Sequence, residues 1–72
     1  YKNGNLDRAI KEFTLILNDE PENTEALYGR AIAYRDNRQI DNAMADLKDV
    51  LNHYPNSEIR DKALRLLDEL QM

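Results

Sequence analysis

Residues 35–57 read RDNRQIDNAMADLKDVLNHYPNS, and residues 1–23 read YKNGNLDRAIKEFTLILNDEPEN. Laid on each other without a gap, the two stretches pair Asn3 with Asn37, Asp7 with Asp41 and Ala9 with Ala43. They also pair Leu17 with Leu51, Asn18 with Asn52 and Pro21 with Pro55, always 34 residues apart. Between the identities the apolar character is kept: Leu6 falls on Ile40, Ile10 on Met44, Phe13 on Leu47 and Ile16 on Val50. A period of this length marks a stack of supersecondary units, each too small to bury its apolar face alone.

The spacing inside the period is helical. Apolar residues at 6, 9, 10, 13, 16 and 17 form one stripe that predicts a helix from Leu6 to Asn18, and 40, 43, 44, 47, 50 and 51 repeat it. Pro21 and Pro55 stop these two helices, because proline cannot continue the hydrogen-bond ladder. Thr24 is placed to cap a helix running to Asp36, and Glu25 sits where the helix dipole favours an anion. That helix carries Leu27, Ala31 and Tyr34 on one side and Tyr28, Ile32 and Arg35 on an adjacent one. Ser57 is expected to cap a last helix to about Gln71, with Ile59, Ala63, Leu66, Leu67 and Leu70 on its apolar face. Tyr1 to Asn5 reads as the tail of a further helix and a turn, with Gly4 ending it in the left-handed conformation. In the second copy Asn37 is the expected positive-φ residue. Connections of a few residues force neighbouring helices antiparallel.

Composition narrows the functions open to such a stack. The 72 residues contain no cysteine, so disulfides and thiolate chemistry are absent. A net charge of -4 argues against a nucleic-acid surface, which gathers Lys and Arg to displace phosphate counterions. No apolar run approaches the roughly 20 residues that span a bilayer, so membrane insertion is not expected. The chain starts at Tyr1 without methionine, so a targeting segment could precede it. His53 is the single histidine and has no metal-ligand spacing around it; at a helix C-terminus it is expected to meet the dipole. Asp41, Asp46, Asp49 and the run Asp19-Glu20-Pro21-Glu22 read as solvated faces and turns, without the glycine and glutamate of a calcium loop. There is no phosphate-binding loop and no nucleophile elbow, so no cofactor and no enzymatic activity are expected.

The unit 24–57 resembles a tetratricopeptide repeat (TPR). In that family a large residue, two small or apolar ones and a tyrosine line the first helix. A small residue, a large apolar one, another small one and a proline mark the second. Leu27, Arg30, Ala31 and Tyr34 occupy the first set, and Ala43, Leu47, Val50 and Pro55 the second. Arg30 stands where leucine is usual, and Val50 where alanine is usual. Arg30 is expected to pair with an acidic neighbour at the surface. Physically, Ala31 and Ala43 mark where two antiparallel helices approach closest, with Tyr34 and Leu47 filling the space beside them.

The resemblance implies an all-α, right-handed α-solenoid of antiparallel helix-turn-helix repeats with a C-terminal capping helix. Residues 1–23 would be the second helix and end of an incomplete unit, 24–57 a complete unit, and 58–72 the cap. Continuing the period puts Asp61, Arg65 and Asp68 where Leu27, Ala31 and Tyr34 stood, and charges there suit a terminal helix facing water. The expected parent is the end of a longer array.

For function, the resemblance implies a protein–protein interaction scaffold that holds a peptide or helix in a concave groove lined by first helices. By position that selects Glu25, Tyr28, Ile32, Arg35 and Asp36. Tyr28 and Ile32 would give apolar contact, or would simply pack against Leu6–Asn18; Arg35 could hold a carboxylate bidentately. One branch of the family clamps the C-terminal carboxylate of chaperone tails, but Ala26 stands where its lysine is expected, leaving only Arg30 or Arg35. The alternative is structural: self-association through the Leu6–Leu17 flank, or an array-ending segment of a larger protein. The phrase His53-Tyr54-Pro55-Asn56-Ser57 resembles the unit ends of bacterial envelope repeat proteins. Together with a signal peptide it would suggest the bacterial envelope; otherwise the cytoplasm is the default.

Overall fold

The computed structural model describes residues 3–72, so the reading of Tyr1 and Lys2 as the tail of a helix lies outside the described residues. Four helices follow one another: α1 Asn3–Asp19, α2 Thr24–Asp36, α3 Ile40–His53 and α4 Arg60–Gln71. Substantial packing joins only consecutive helices, α1 to α2, α2 to α3 and α3 to α4. The result is a slab of 33 × 32 × 16 Å, the shape expected when each element meets only its neighbours. One core runs through it: Leu17, Leu27, Ala31, Ala43, Leu47, Val50, Ala63, Leu66 and Leu67 are buried together, flanked by half-buried Phe13, Tyr34, Met44 and Leu51. The second expected stripe therefore faces inward, and the first does so only in part, through Leu6, Phe13 and Leu17. Leu6 and Leu17 are also sealed, at 4% and 8% exposure, whereas Leu15 and Ile16 are exposed at 62% and 41%. Leu6 and Leu17 of the Leu6–Leu17 flank are thus buried, while Phe13 of the same flank borders an open groove.

Helix ends show where local chemistry departs from the expected pattern. Gly4 stands inside α1 and ends nothing, since the helix begins at Asn3. The positive-φ residue after α2 is Arg38, at φ 64, while Asn37 is the C-cap at φ -89. The Arg38 amide donates to the Arg35 carbonyl at 3.0 Å and the Gln39 amide to the Tyr34 carbonyl at 2.8 Å. That pair of bonds is a Schellman closure, which puts the left-handed residue one position beyond the cap. Asn37 instead uses its side-chain amide to donate to Gln39 Oε1 and, at 3.4 Å, to Asp7 Oδ1. Because a side chain in the left-handed region costs about 1 kcal/mol, Arg38→Gly should stabilise the chain by about 0.5–1 kcal/mol. A raised urea midpoint at unchanged slope is the expected readout; a lowered midpoint would mean that the Arg38 side chain itself stabilises the turn.

The N-caps also differ from expectation. Asn23, not Thr24, caps α2, its Oδ1 accepting from the Ala26 amide at 3.0 Å. Thr24 is then the first helical residue, and its hydroxyl meets the Ser57 hydroxyl at 2.9 Å. Ser57 does not cap α4 either. Its Oγ accepts from the Ile59 amide at 3.1 Å within the preceding turn, and α4 starts two residues later than that turn's centre, at Arg60.

Two close approaches fix the spacing of the slab. Between α1 and α2, a Cβ placed on Gly29 would lie 2.6 Å from Phe13 Cζ and 2.8 Å from Cε1, so the Phe13 ring rests on a bare backbone. Gly29→Ala gains about 1 kcal/mol of helix propensity but must push that ring aside. We expect a net loss of about 1 kcal/mol with Phe13 present, and a gain of similar size in a Phe13→Ala background. Urea unfolding of the four proteins measures the sign change; a stabilising Gly29→Ala in both backgrounds would contradict the contact.

Between α2 and α3, the Arg30 guanidinium grips Asp46 through two hydrogen bonds, Nε to Oδ2 and Nη2 to Oδ1, both 2.7 Å. Its Nη1 donates to Thr14 Oγ1 at 3.1 Å, and that hydroxyl donates in turn to the Ile10 carbonyl at 2.7 Å. The guanidinium also lies 5.6 Å from the centre of the Tyr34 ring. Arg30 thus ties three consecutive helices together. Asp46 is not the solvated carboxylate expected: it is buried at 6% exposure, and its pairing with Arg30 takes place inside the slab. The hydrogen bond to Asp46 pushes the Arg30 pKa up, against the lowering effect of burial.

Candidate functional site: the cleft between α2 and α4

α2 and α4 both pack against α3, and the space between them is a cleft. One end is lined by Thr24, Glu25, Ser57, Glu58, Ile59 and Lys62. The other is lined by Tyr28, Arg35, Lys62, Arg65, Leu66 and Glu69. Lys62 borders both ends. The Thr24–Ser57 hydrogen bond closes its first end, and the Tyr54 hydroxyl donates to the Pro21 carbonyl at 3.3 Å, linking the two proline-containing turns.

Of the residues selected from the sequence, Tyr28 and Arg35 line the cleft and Glu25 stands at its first end. Tyr28 and Ile32 are half-buried and pack on the core. For Tyr28 both readings hold at once, since its ring packs inward while the side chain borders the cleft. Asp36 is exposed and its Oδ1 receives both Nε and Nη2 of Arg35 at 3.0 Å. That bond holds the guanidinium in place and takes up part of its donor capacity. Arg30 is withdrawn from any ligand by Asp46.

Lys62, Arg65 and Glu69 on α4 were missed. The period itself carries the signal, because adding 34 to Tyr28, Ile32 and Arg35 gives Lys62, Leu66 and Glu69. Treating α4 only as a cap hid this. Around Tyr28 the cleft sets Lys62, Arg65 and the Asp36-paired Arg35 against Glu69, while its other end adds Glu25 and Glu58. The excess of positive charge is thus small and confined to the Tyr28 end, where it favours an anionic group.

His53, the last residue of α3, is hydrogen-bonded through Nδ1 to Asp49 one turn back. Among the described residues no group of three His, Cys, Asp or Glu side chains is arranged to hold a metal ion. No described helix is long and apolar enough to cross a membrane.

The profile of one family, described as "Tetratricopeptide repeat", matches residues 1–67. No curated protein and no solved structure matches the chain. The family's members are in general protein–protein interaction modules, and its helical-repeat architecture is the one built by α1 to α4. With the profile covering nearly the whole length and the helices packed in the manner it describes, the chain belongs to the tetratricopeptide repeat family.

Proposed function

We propose that the chain is a non-catalytic scaffold that holds a peptide or helix of a partner protein in the cleft between α2 and α4. The observation that carries this reading is the cluster of Arg35, Lys62 and Arg65 around the partly open Tyr28 ring. An apolar side chain of the ligand would lie on Tyr28, and acidic side chains would reach the three cations. Glu25, at the first end of the cleft, would fix the direction of the ligand by repelling its acidic part. Residues 24–57 form the complete repeat in this reading. α4 caps it, with exposed Asp61, Arg65 and Asp68 in the places where Leu27, Ala31 and Tyr34 pack.

A displayed random-peptide library selected on the intact chain tests the reading. Enriched peptides should be acidic with an aromatic or aliphatic anchor. Their affinity should fall about tenfold with Tyr28→Ala, and by a similar factor with Lys62→Ala. Both variants should keep the wild-type circular dichroism spectrum. Enriched peptides that bind these variants as well as the wild type, or a selection yielding no binder, would contradict it.

A further inference from the structure

The α4 wall of the cleft carries its charges in a fixed order. Glu58, Lys62, Arg65 and Glu69 follow at intervals of four, three and four residues, and all four border the cleft. Two cations therefore stand in the middle of the stripe, with a carboxylate beyond them on each side. Across from it, α2 adds Glu25 at the first end and Tyr28 and Arg35 at the other. The four α4-side groups and Glu25 are exposed, and among the described residues none of the five is held in an ion pair. Arg35, by contrast, is tied to Asp36. The helix dipoles modify this order without removing it. The N-termini of α2 and α4 lie at the first end and offset part of Glu25 and Glu58, while their C-termini add to Glu69.

We propose that the partner segment is extended and ordered in charge, with acidic residues directly beside its apolar anchor and basic residues two positions out on both sides. The inference rests on the reading of the α2–α4 cleft as a peptide site and names the chemistry of its occupant. The Tyr28 end encloses about 120 Å³, room for a side chain and not for a helix, whose girth is about 10 Å. Alternate side chains of an extended segment point to opposite sides. An anchor facing Tyr28 on α2 therefore turns its neighbouring acids toward Lys62 and Arg65 on α4. The long basic side chains beyond them reach Glu25 and Glu58 at one end and Glu69 at the other. From Glu58 to Glu69 the stripe covers roughly 15 Å at about 1.5 Å per residue, the reach of about five extended residues. Acids along the whole segment would meet Glu25, Glu58 and Glu69 with like charge, so the cleft discriminates by the order of charges.

The probes are three peptides blocked at both termini and titrated against the isotopically labelled whole chain by amide shifts. The first is Ser-Gly-Lys-Glu-Phe-Glu-Lys-Gly-Ser. The second, Ser-Gly-Glu-Lys-Phe-Lys-Glu-Gly-Ser, has the same composition with the charges exchanged, and the third has glutamate at all four charged places. The first should bind about fivefold more tightly than the second, and more tightly than the third. In a chain carrying Glu58→Lys with Glu69→Lys the order should reverse, the third peptide becoming the tightest. Glu12→Lys with Asp68→Lys makes the same change of net charge away from the cleft and should leave the original order. Both pairs replace exposed side chains, and unchanged circular dichroism checks the fold. Equal binding of the first two peptides, sensitive to Tyr28→Ala, would overturn the inference and leave the peptide site standing. So would an order that the two double variants change alike, since net charge alone would then decide. No saturable shift with any peptide, or binding indifferent to Tyr28→Ala, would overturn the peptide site and the inference with it.

Discussion

Arg30→Met will lower the unfolding free energy by about 3 kcal/mol, the scale for removing one partner of a buried ion pair. The size follows from what is left behind. Asp46 is 6% exposed and receives both of its short hydrogen bonds from Arg30. Without the guanidinium the carboxylate must stay charged and unpaired in the slab, or take up a proton. Thr14 Oγ1 loses a donor at the same time, and Tyr34 loses the cation lying over its ring. The reverse change, Asp46→Leu, strands the arginine less severely, because its long stem can carry the head toward water. Replacing both, as Arg30→Met with Asp46→Leu, should recover most of the loss, since an apolar pair of similar volume avoids desolvating two charges. Urea unfolding of the four proteins measures the coupling. Additive losses would show that the two side chains do not act as a pair.

Ala43→Leu is the second large effect, with an expected cost of about 2 kcal/mol from overpacking. Ala43 on α3 and Ala31 on α2 both have zero exposure. A side chain of one carbon is sealed completely only when neighbouring backbone and side chains close directly over it. Three added carbons would force α2 and α3 apart and loosen Leu47 and Val50, which are fully buried on the same strip. For a domain of this size that loss lowers the melting temperature by roughly 10 °C. Ala43→Gly provides the control: it removes bulk and should cost only the glycine propensity, about 1 kcal/mol. Unchanged melting of Ala43→Leu would remove the close approach from the account.

The repeat and its two stripes were legible because an amphipathic helix writes its buried face at fixed intervals, and because the same intervals occur twice. The extent of α2, Thr24–Asp36, was legible from the turn residues on both sides, although its N-cap is Asn23 and not the expected Thr24. What was not legible depended on pairings across the slab. Asp46 looked solvated because a lone carboxylate on a helix usually is, yet its place between Ala43 and Val50 lies on the inward strip. Arg30, standing where the family places leucine, was the missing half of that signal. Gly29, a glycine in mid-helix, marked the seat of the Phe13 ring, but only the partner's position reveals why no Cβ is allowed. Ser57 has the right side chain for an N-cap, and Thr24 drew its hydroxyl into a different contact. The α4 side of the cleft was readable from the period and was passed over because charges on a last helix suggest nothing but solvent.

The most direct test of the central claim is to map a library-selected peptide on the isotopically labelled chain by amide chemical-shift changes. The account predicts that the perturbed amides cluster on Glu25, Tyr28 and Arg35 of α2 and on Lys62, Arg65 and Glu69 of α4. A cluster confined to Ala9–Ile16 of α1, or changes scattered without a focus, would contradict the claim that the α2–α4 cleft is the binding site.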